Sequence, residues 1–252
     1  MNKKIVLIYP NFSPPVIYSK SKEGIRVNPS VPSGLIALGS FLDKCGYKIE
    51  IIDRRVEGNC INKILAASKD ALLVGMSIMT PQIEDSIKIA KALKEHYPKL
   101  PVVVGDSHPT LFPIQTCEDE LIDFVVYGEG EETLLELVRK IEAKTQAFSK
   151  IKGLCWKRDG KVIANEKRPF LDVDTLPSYN FDLVDMDFYI KGYSQYDNRP
   201  IKKASIEFSR GCPHRCGFCI NAIKGRFWRC KNPEKVVQEI KDLVEKYSIN
   251  HI

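Results

Sequence analysis

The sequence predicts an α/β fold, a doubly wound parallel sheet, and three observations carry that expectation. Short apolar runs recur along the first 130 residues, amphipathic helical stretches separate them, and glycine- or proline-bearing loops follow each run. Strands alternating with helices of this kind form a parallel sheet with right-handed crossovers.

The first run, Lys4 to Tyr9, stops at Pro10 and reads as a buried strand. The segment Pro10 to Pro32 is a long loop, of the length that compact domains reserve for function or motion. A helix is expected from Ser33 as N-cap, with Leu35, Leu38, Leu42 and Cys45 inward and a stop at Gly46. Strands follow at Lys48 to Asp53 and Ala71 to Met76. Thr80-Pro81 then opens a second helix carrying Ile83, Ile87, Ala90, Leu93 and Tyr97 on one face. Pro101 to Val104 and Phe124 to Tyr127 are strands, and Glu131 to Ala143 is a helix striped with Leu134, Leu137, Val138 and Ile141. After Ile151 the period changes. Two short runs flank Asp159-Gly160, a hairpin signal, and Leu171 to Pro200 reads as a linker. A strand is expected over Lys203 to Ser209, and Asn232-Pro233 opens a helix with Val236, Ile240, Leu243, Val244 and Tyr247 inward. The expected division is 1–150, a sheet domain; 151–200, hairpin and linker; and 201–252, the start of a second domain.

Composition narrows the class. The chain has 252 residues, 44% of them hydrophobic, enough for one or two cores. No apolar run approaches the ~20 residues of a membrane span. The net charge of +6 is mild, and although Lys224 to Lys231 mixes basic and aromatic residues, a solvated rim beside an anionic cofactor is the preferred reading. A nucleic-acid partner is not expected. Eight cysteines without an export signal fit a reducing cytoplasm, and Cys45, Cys60, Cys117, Cys155 and Cys230 receive no role.

Chemistry concentrates in Cys212-Pro-His-Arg-Cys216-Gly-Phe-Cys219. Three thiolates on one loop read as a metal or iron–sulfur site, and a four-iron cluster held by three cysteines keeps one iron open. A zinc site with His214 as fourth ligand is the alternative, and a disulfide framework a weaker one. Ahead of this loop, the sheet's strands end in Ser77 to Thr80, in Gly105-Asp106-Ser107-His108-Pro109-Thr110 and in Gly128-Glu129-Gly130-Glu131. Ligands of open α/β sheets bind at such carboxyl ends. The acidic turn has a sufficient structural explanation, glycines for a tight turn and carboxylates at a helix start.

The C-x3-C-x2-C spacing, with Phe218 before its last cysteine, resembles the signature of the radical S-adenosylmethionine (SAM) superfamily. Together with the upstream loops, it resembles the subgroup carrying an N-terminal cobalamin-binding domain. The resemblance implies a Rossmann/flavodoxin-like domain followed by the first βα module of a partial (β/α) barrel. It implies that Cys212, Cys216 and Cys219 ligate a [4Fe–4S] cluster, that SAM chelates the open iron, and that Phe218 packs by its adenine. Reductive cleavage of SAM would then yield a 5′-deoxyadenosyl radical, with an electron donor such as flavodoxin or ferredoxin. Cobalamin would lie near Ser77, Thr80, Gly105, His108, Pro109 and Thr110.

Two departures matter. No Asp-x-His-x-x-Gly follows the first strand, so a histidine-off mode is expected, and Gly105-Asp106 stands where the family usually has Gly-Gly. From Ile201 there are 52 residues, against about 250 for a full barrel, so only the start of that domain is expected and the enzyme assignment stays open. The main expectation is a radical SAM enzyme performing methyl transfer, oxidative cyclisation or rearrangement on an unknown small molecule. A non-catalytic cobalamin- or cluster-binding module, or a truncated remnant, is the alternative. A tRNA methylthiotransferase ranks lower, because Tyr9 to Phe12 lacks that branch's cysteine.

Overall fold

The structure, a computed structural model, describes residues 3–13, 29–193, 199–219 and 227–252. Seven strands form one sheet in the order β2-β1-β3-β4-β5-β6-β7. They are β1 (Lys4–Tyr9), β2 (Lys48–Asp53), β3 (Leu73–Ser77), β4 (Val102–Gly105), β5 (Phe124–Val126), β6 (Leu154–Arg158) and β7 (Lys161–Ala164). The first five are parallel, and β6 and β7 join antiparallel beside β5. The doubly wound expectation holds.

Alternation along the strands divides the core between two faces. Val6, Ile8, Val74, Met76, Val102 and Val104 point to one face, and Ile5, Leu7, Leu73, Val103 and Val126 to the other. After the short helix α2 (Arg54–Glu57), α3 (Ile61–Ser68) and α4 (Ile83–His96) cover the first face through Ile64, Ile89 and Leu93. The second is covered by α1 (Ser33–Lys44) and α7 (Glu131–Glu142) through Leu35, Leu42, Leu134 and Leu137. Because β2 lies on one side of β1 and β3 on the other, the order in which strands are added reverses between the parallel neighbours β1 and β3, and the loops after both strands border that crevice.

The hairpin turn forms as its sequence dictates. Asp159 (φ 51°) and Gly160 (φ 73°) both adopt positive φ, the requirement of a two-residue I′ turn. Elsewhere local signals give way. Ser33 is the first helical residue and makes no capping hydrogen bond, and Thr80-Pro81 forms a single 3₁₀ turn before α4. Two short helices, α5 (Ser107–Leu111) and α6 (Pro113–Glu118), replace a loop after β4.

The expected strand over Lys203 to Ser209 is not continuous. Pro200–Lys202 pairs with Lys191–Tyr193, Lys203 makes one parallel bridge to His251, and Ser209–Arg210 pairs with Arg229–Cys230. Residues 204–208 lack a neighbouring strand, and pleated backbone persists only where a partner satisfies its polar groups. Helix Pro233–Tyr247 starts as expected, with Asn232 accepting from the Glu234 amide. It buries Leu243, but Val244 is 45% exposed rather than inward. The long loop after Pro10 lies largely outside the described residues.

Candidate functional site

A cavity of about 370 Å³ opens at the carboxyl ends of β1, β3, β4 and β5. Its apolar wall includes Leu7, Leu35, Leu38, Val103, Val126 and Leu134. Glycines keep it open. A Cβ at Gly34 would meet nothing within 4 Å, and one at Gly105 would come within 3.3 Å of the Val126 carbonyl oxygen. The rim is polar, with Ser77, Asp106 and Glu129 on it.

Asp106 adopts φ 86° and ψ −157°, a conformation that only glycine takes freely. Its carboxylate compensates locally, accepting from Ser77 Oγ at 2.6 Å and Ser107 Oγ at 2.7 Å. The substitution of Asp for the second glycine therefore places a carboxylate at the mouth of the cavity.

Of the residues singled out in the sequence, Ser77 and Gly105 line this cavity. Thr80, in the 3₁₀ turn before α4, and His108, in α5, meet each other at 3.2 Å away from the lining, and the His108 ring lies 5.2 Å from that of Phe112. Burial pushes the His108 imidazole below its ordinary pKa. Pro109 is buried, and Thr110 Oγ1 accepts from the Gly128 amide at 3.0 Å, tying the β4 loop to the acidic turn.

The cysteine loop stands beside the cavity, since Glu207, Ser209, Arg210 and Gly211 complete its lining. Cys212 is partly exposed, Cys216 and Cys219 are exposed, and Phe218 is 92% exposed. Among the described residues no three His, Cys, Asp or Glu side chains gather as a metal site, so the three thiols are not drawn onto one centre. Arg229 and Lys231, from the basic-aromatic run, are engaged within the protein. Lys231 pairs with Glu239 at 2.9 Å and Arg229 with Glu129 at 2.7 Å.

Sequence reasoning gave the acidic turn a local structural explanation and did not find its long-range partners. Glu129 receives two hydrogen bonds from Arg229, at 2.7 and 3.0 Å, and one from the Leu171 amide at 2.8 Å. Burial opposes its charge, but Arg229, that amide and Arg210 hold its carboxyl below the ordinary range. Glu131 accepts from Arg210 at 2.7 Å, and Glu207 does the same. The available signal was the pair of arginines bracketing the cysteines opposite two glutamates.

Comparison with known proteins agrees with this geometry. A B12 binding domain model matches residues 27–138. An uncharacterized methyltransferase of Pyrococcus horikoshii is 34% identical over 226 residues, covering 88% of this chain and 47% of its own. The anaerobic magnesium-protoporphyrin IX monomethyl ester cyclase of Synechocystis is 30% identical over 215 residues, covering 83% and 42%. The chain thus spans about half the length of the curated relatives it matches. Among solved structures, the radical SAM methyltransferase TsrM of Kitasatospora setae, with cobalamin and a [4Fe–4S] cluster bound, superposes with TM-score 0.76 at 22% identity over 98% of this chain and 48% of that one. The cobalamin-dependent radical SAM enzyme OxsB, with aqua-cobalamin and SAM bound, gives 0.76 at 22% identity over 98% and 32%. At those identities the likeness concerns the fold. Taken together, residues 27–138 carry a B12 binding domain, and the chain has the fold seen in cobalamin-dependent radical SAM enzymes.

Proposed function

We propose that this chain acts as a cofactor-binding module, its sheet unit taking cobalamin and its cysteine loop a [4Fe–4S] cluster. The observation that carries the reading is the cavity at the strand ends, walled on one side by the residues that open the cysteine loop. The residues fit the group. The leucine and valine wall suits the flat heterocycle of a nucleotide tail, and the polar rim suits the amides of a corrin. Bound there, cobalamin would supply a metal-centred carrier of a methyl group or an electron.

The chain's own residues would bind and orient. Gly34 leaves the tail's slot open, and the leucines exclude water from it. Asp106, fixed by Ser77 and Ser107, presents an acceptor at the mouth. His108 is held by Thr80 outside the lining, which supports the histidine-off mode. For the cluster the donor set fits in kind, three thiols on one loop, and Cys212, Cys216 and Cys219 would hold it.

A second reading is reductive SAM cleavage serving methyl transfer, cyclisation or rearrangement on an unidentified small molecule, with flavodoxin or ferredoxin as electron donor in a reducing cytoplasm. The intact cysteine spacing favours it, as does Phe218, whose 92% exposure leaves its ring faces open to a nucleoside.

The test is anaerobic titration of the chain with hydroxocobalamin, followed by gel filtration and absorbance. One corrinoid per chain is expected for the wild type. Gly34→Leu should abolish binding without lowering the thermal midpoint, since a leucine there projects into open space. Undiminished binding by Gly34→Leu would remove the cavity from the reading. Reconstitution with iron and sulfide, then SAM and dithionite, separates the second reading by the appearance of 5′-deoxyadenosine.

A further inference from the structure

Glu129 and Glu131 stand where an anionic cofactor would repel them, yet their side chains are only 10% and 5% exposed. Burying a carboxylate is costly unless it is paired, and each here has a guanidinium. The two guanidiniums belong to neighbours, because Arg210 and Arg229 face each other across the two-stranded ladder Ser209–Arg210 and Arg229–Cys230. All three cysteines lie between these two arginines in the sequence.

The contacts restrict orientation as well as charge. Arg229 meets Glu129 with both terminal nitrogens of one fork geometry, Nη1 at 3.0 Å and Nη2 at 2.7 Å. Its Nη1 also donates to the Leu171 carbonyl at 2.7 Å, and the Phe170 ring lies 4.7 Å from its guanidinium carbon. Arg210 donates to Glu131 and Glu207 at 2.7 Å each and stands 3.7 Å from Glu129. Paired arginine–carboxylate bonds fix a plane, which a lysine's point charge does not.

We propose that Glu129 and Glu131 are positioning residues for the iron–sulfur ligands: through Arg229 and Arg210 they clamp both ends of the cysteine loop to the turn that walls the cofactor cavity. The inference rests on the reading of Cys212, Cys216 and Cys219 as cluster ligands. The clamp involves no cysteine, so it is complete before iron arrives. It also makes the ladder, rather than the loop's interior, the element that sets where the thiols stand relative to the cavity.

Hydrogen-exchange mass spectrometry of the whole metal-free chain tests the clamp, and anaerobic reconstitution with iron and sulfide, read by metal content and EPR, tests its purpose. Glu129→Gln and Arg229→Lys should accelerate exchange of the ladder amides about tenfold, the factor expected when one charge-assisted hydrogen bond is lost, while β1, β3 and β4 keep their protection. Both variants should bind less iron and give an altered EPR signal. Cys212→Ala should lose the cluster while keeping the protection. Wild-type exchange and an unchanged signal in Glu129→Gln would overturn the proposal, as would loosening of the entire sheet. If the wild type takes up no iron, the cluster reading fails, and the exchange data alone decide whether the clamp exists.

Discussion

Strand β1 and the cysteine loop are held by different forces. In β1 four consecutive residues, Ile5 to Ile8, are at most 1% exposed, with apolar helices on both faces of the sheet. Around the cysteines the exposed side chains include Phe208, Phe218, Phe227 and Trp228, and the well-defined contacts are ion pairs at the loop's two ends. Apolar burial is strong and non-directional, so it fixes the sheet as a whole. Paired charges are weaker net contributors but directional, so they can aim a loop whose interior stays open to ligands.

The contrast is sharpened most by truncating one apolar side chain in each region. Leu93→Ala in α4, where the side chain is fully buried, should cost about 2–5 kcal/mol in urea unfolding. Val244→Ala, 45% exposed, should stay within about 0.5 kcal/mol. Equal losses would mean that the helix after the cysteines shares the sheet's core. A near-cancellation is expected at the cavity mouth. Asp106→Gly relieves a glycine-only conformation, worth about 1–3 kcal/mol, and forfeits hydrogen bonds from Ser77 and Ser107 worth about 1 kcal/mol each. The thermal midpoint should stay close to the wild type's, while corrinoid retention weakens with the loss of the carboxylate at the mouth.

Acid should part the two regions more gently. The His108 imidazole is depressed by burial, so its contribution is complete above the ordinary 6.5 and declines as pH falls through that value towards its folded one. The Glu129 carboxyl, depressed against burial by Arg229, the Leu171 amide and Arg210, contributes above the ordinary 4.5 and loses that contribution only at lower pH. The unfolding midpoint of His108→Gln should therefore approach the wild type's between pH 7 and 5, and that of Glu129→Gln only below about 4.5. Convergence of both at one pH would merge what the structure separates.

Much of the sheet was legible because its strands are apolar runs bounded by breakers, and Asp159-Gly160 announced its turn. Helix α3 was not, since Ile61 to Ser68 is too short for its periodicity to stand out. The helices after β4 hid behind a histidine, two prolines and a cavity-lining aspartate that read as loop chemistry. The cysteines' surroundings were not legible in their spacing. Glu131 and Arg210 lie 79 positions apart, Glu129 and Arg229 100, and no local pattern encodes a contact at that separation. Val244 was misplaced for the complementary reason: helical periodicity shows which residues share a face, and only tertiary packing shows whether that face is covered.

The turn Gly128–Glu131 carries a further consequence for protein engineering. All four of its residues line the pocket, and its glutamates also hold the arginines at the ends of the cysteine loop. A chimera that transplants this sheet unit onto a foreign cysteine-bearing partner would import two buried negative charges with it. Unless the recipient offers arginines at the two matching ladder positions, the graft junction would fail at the seam, however well each half folds by itself.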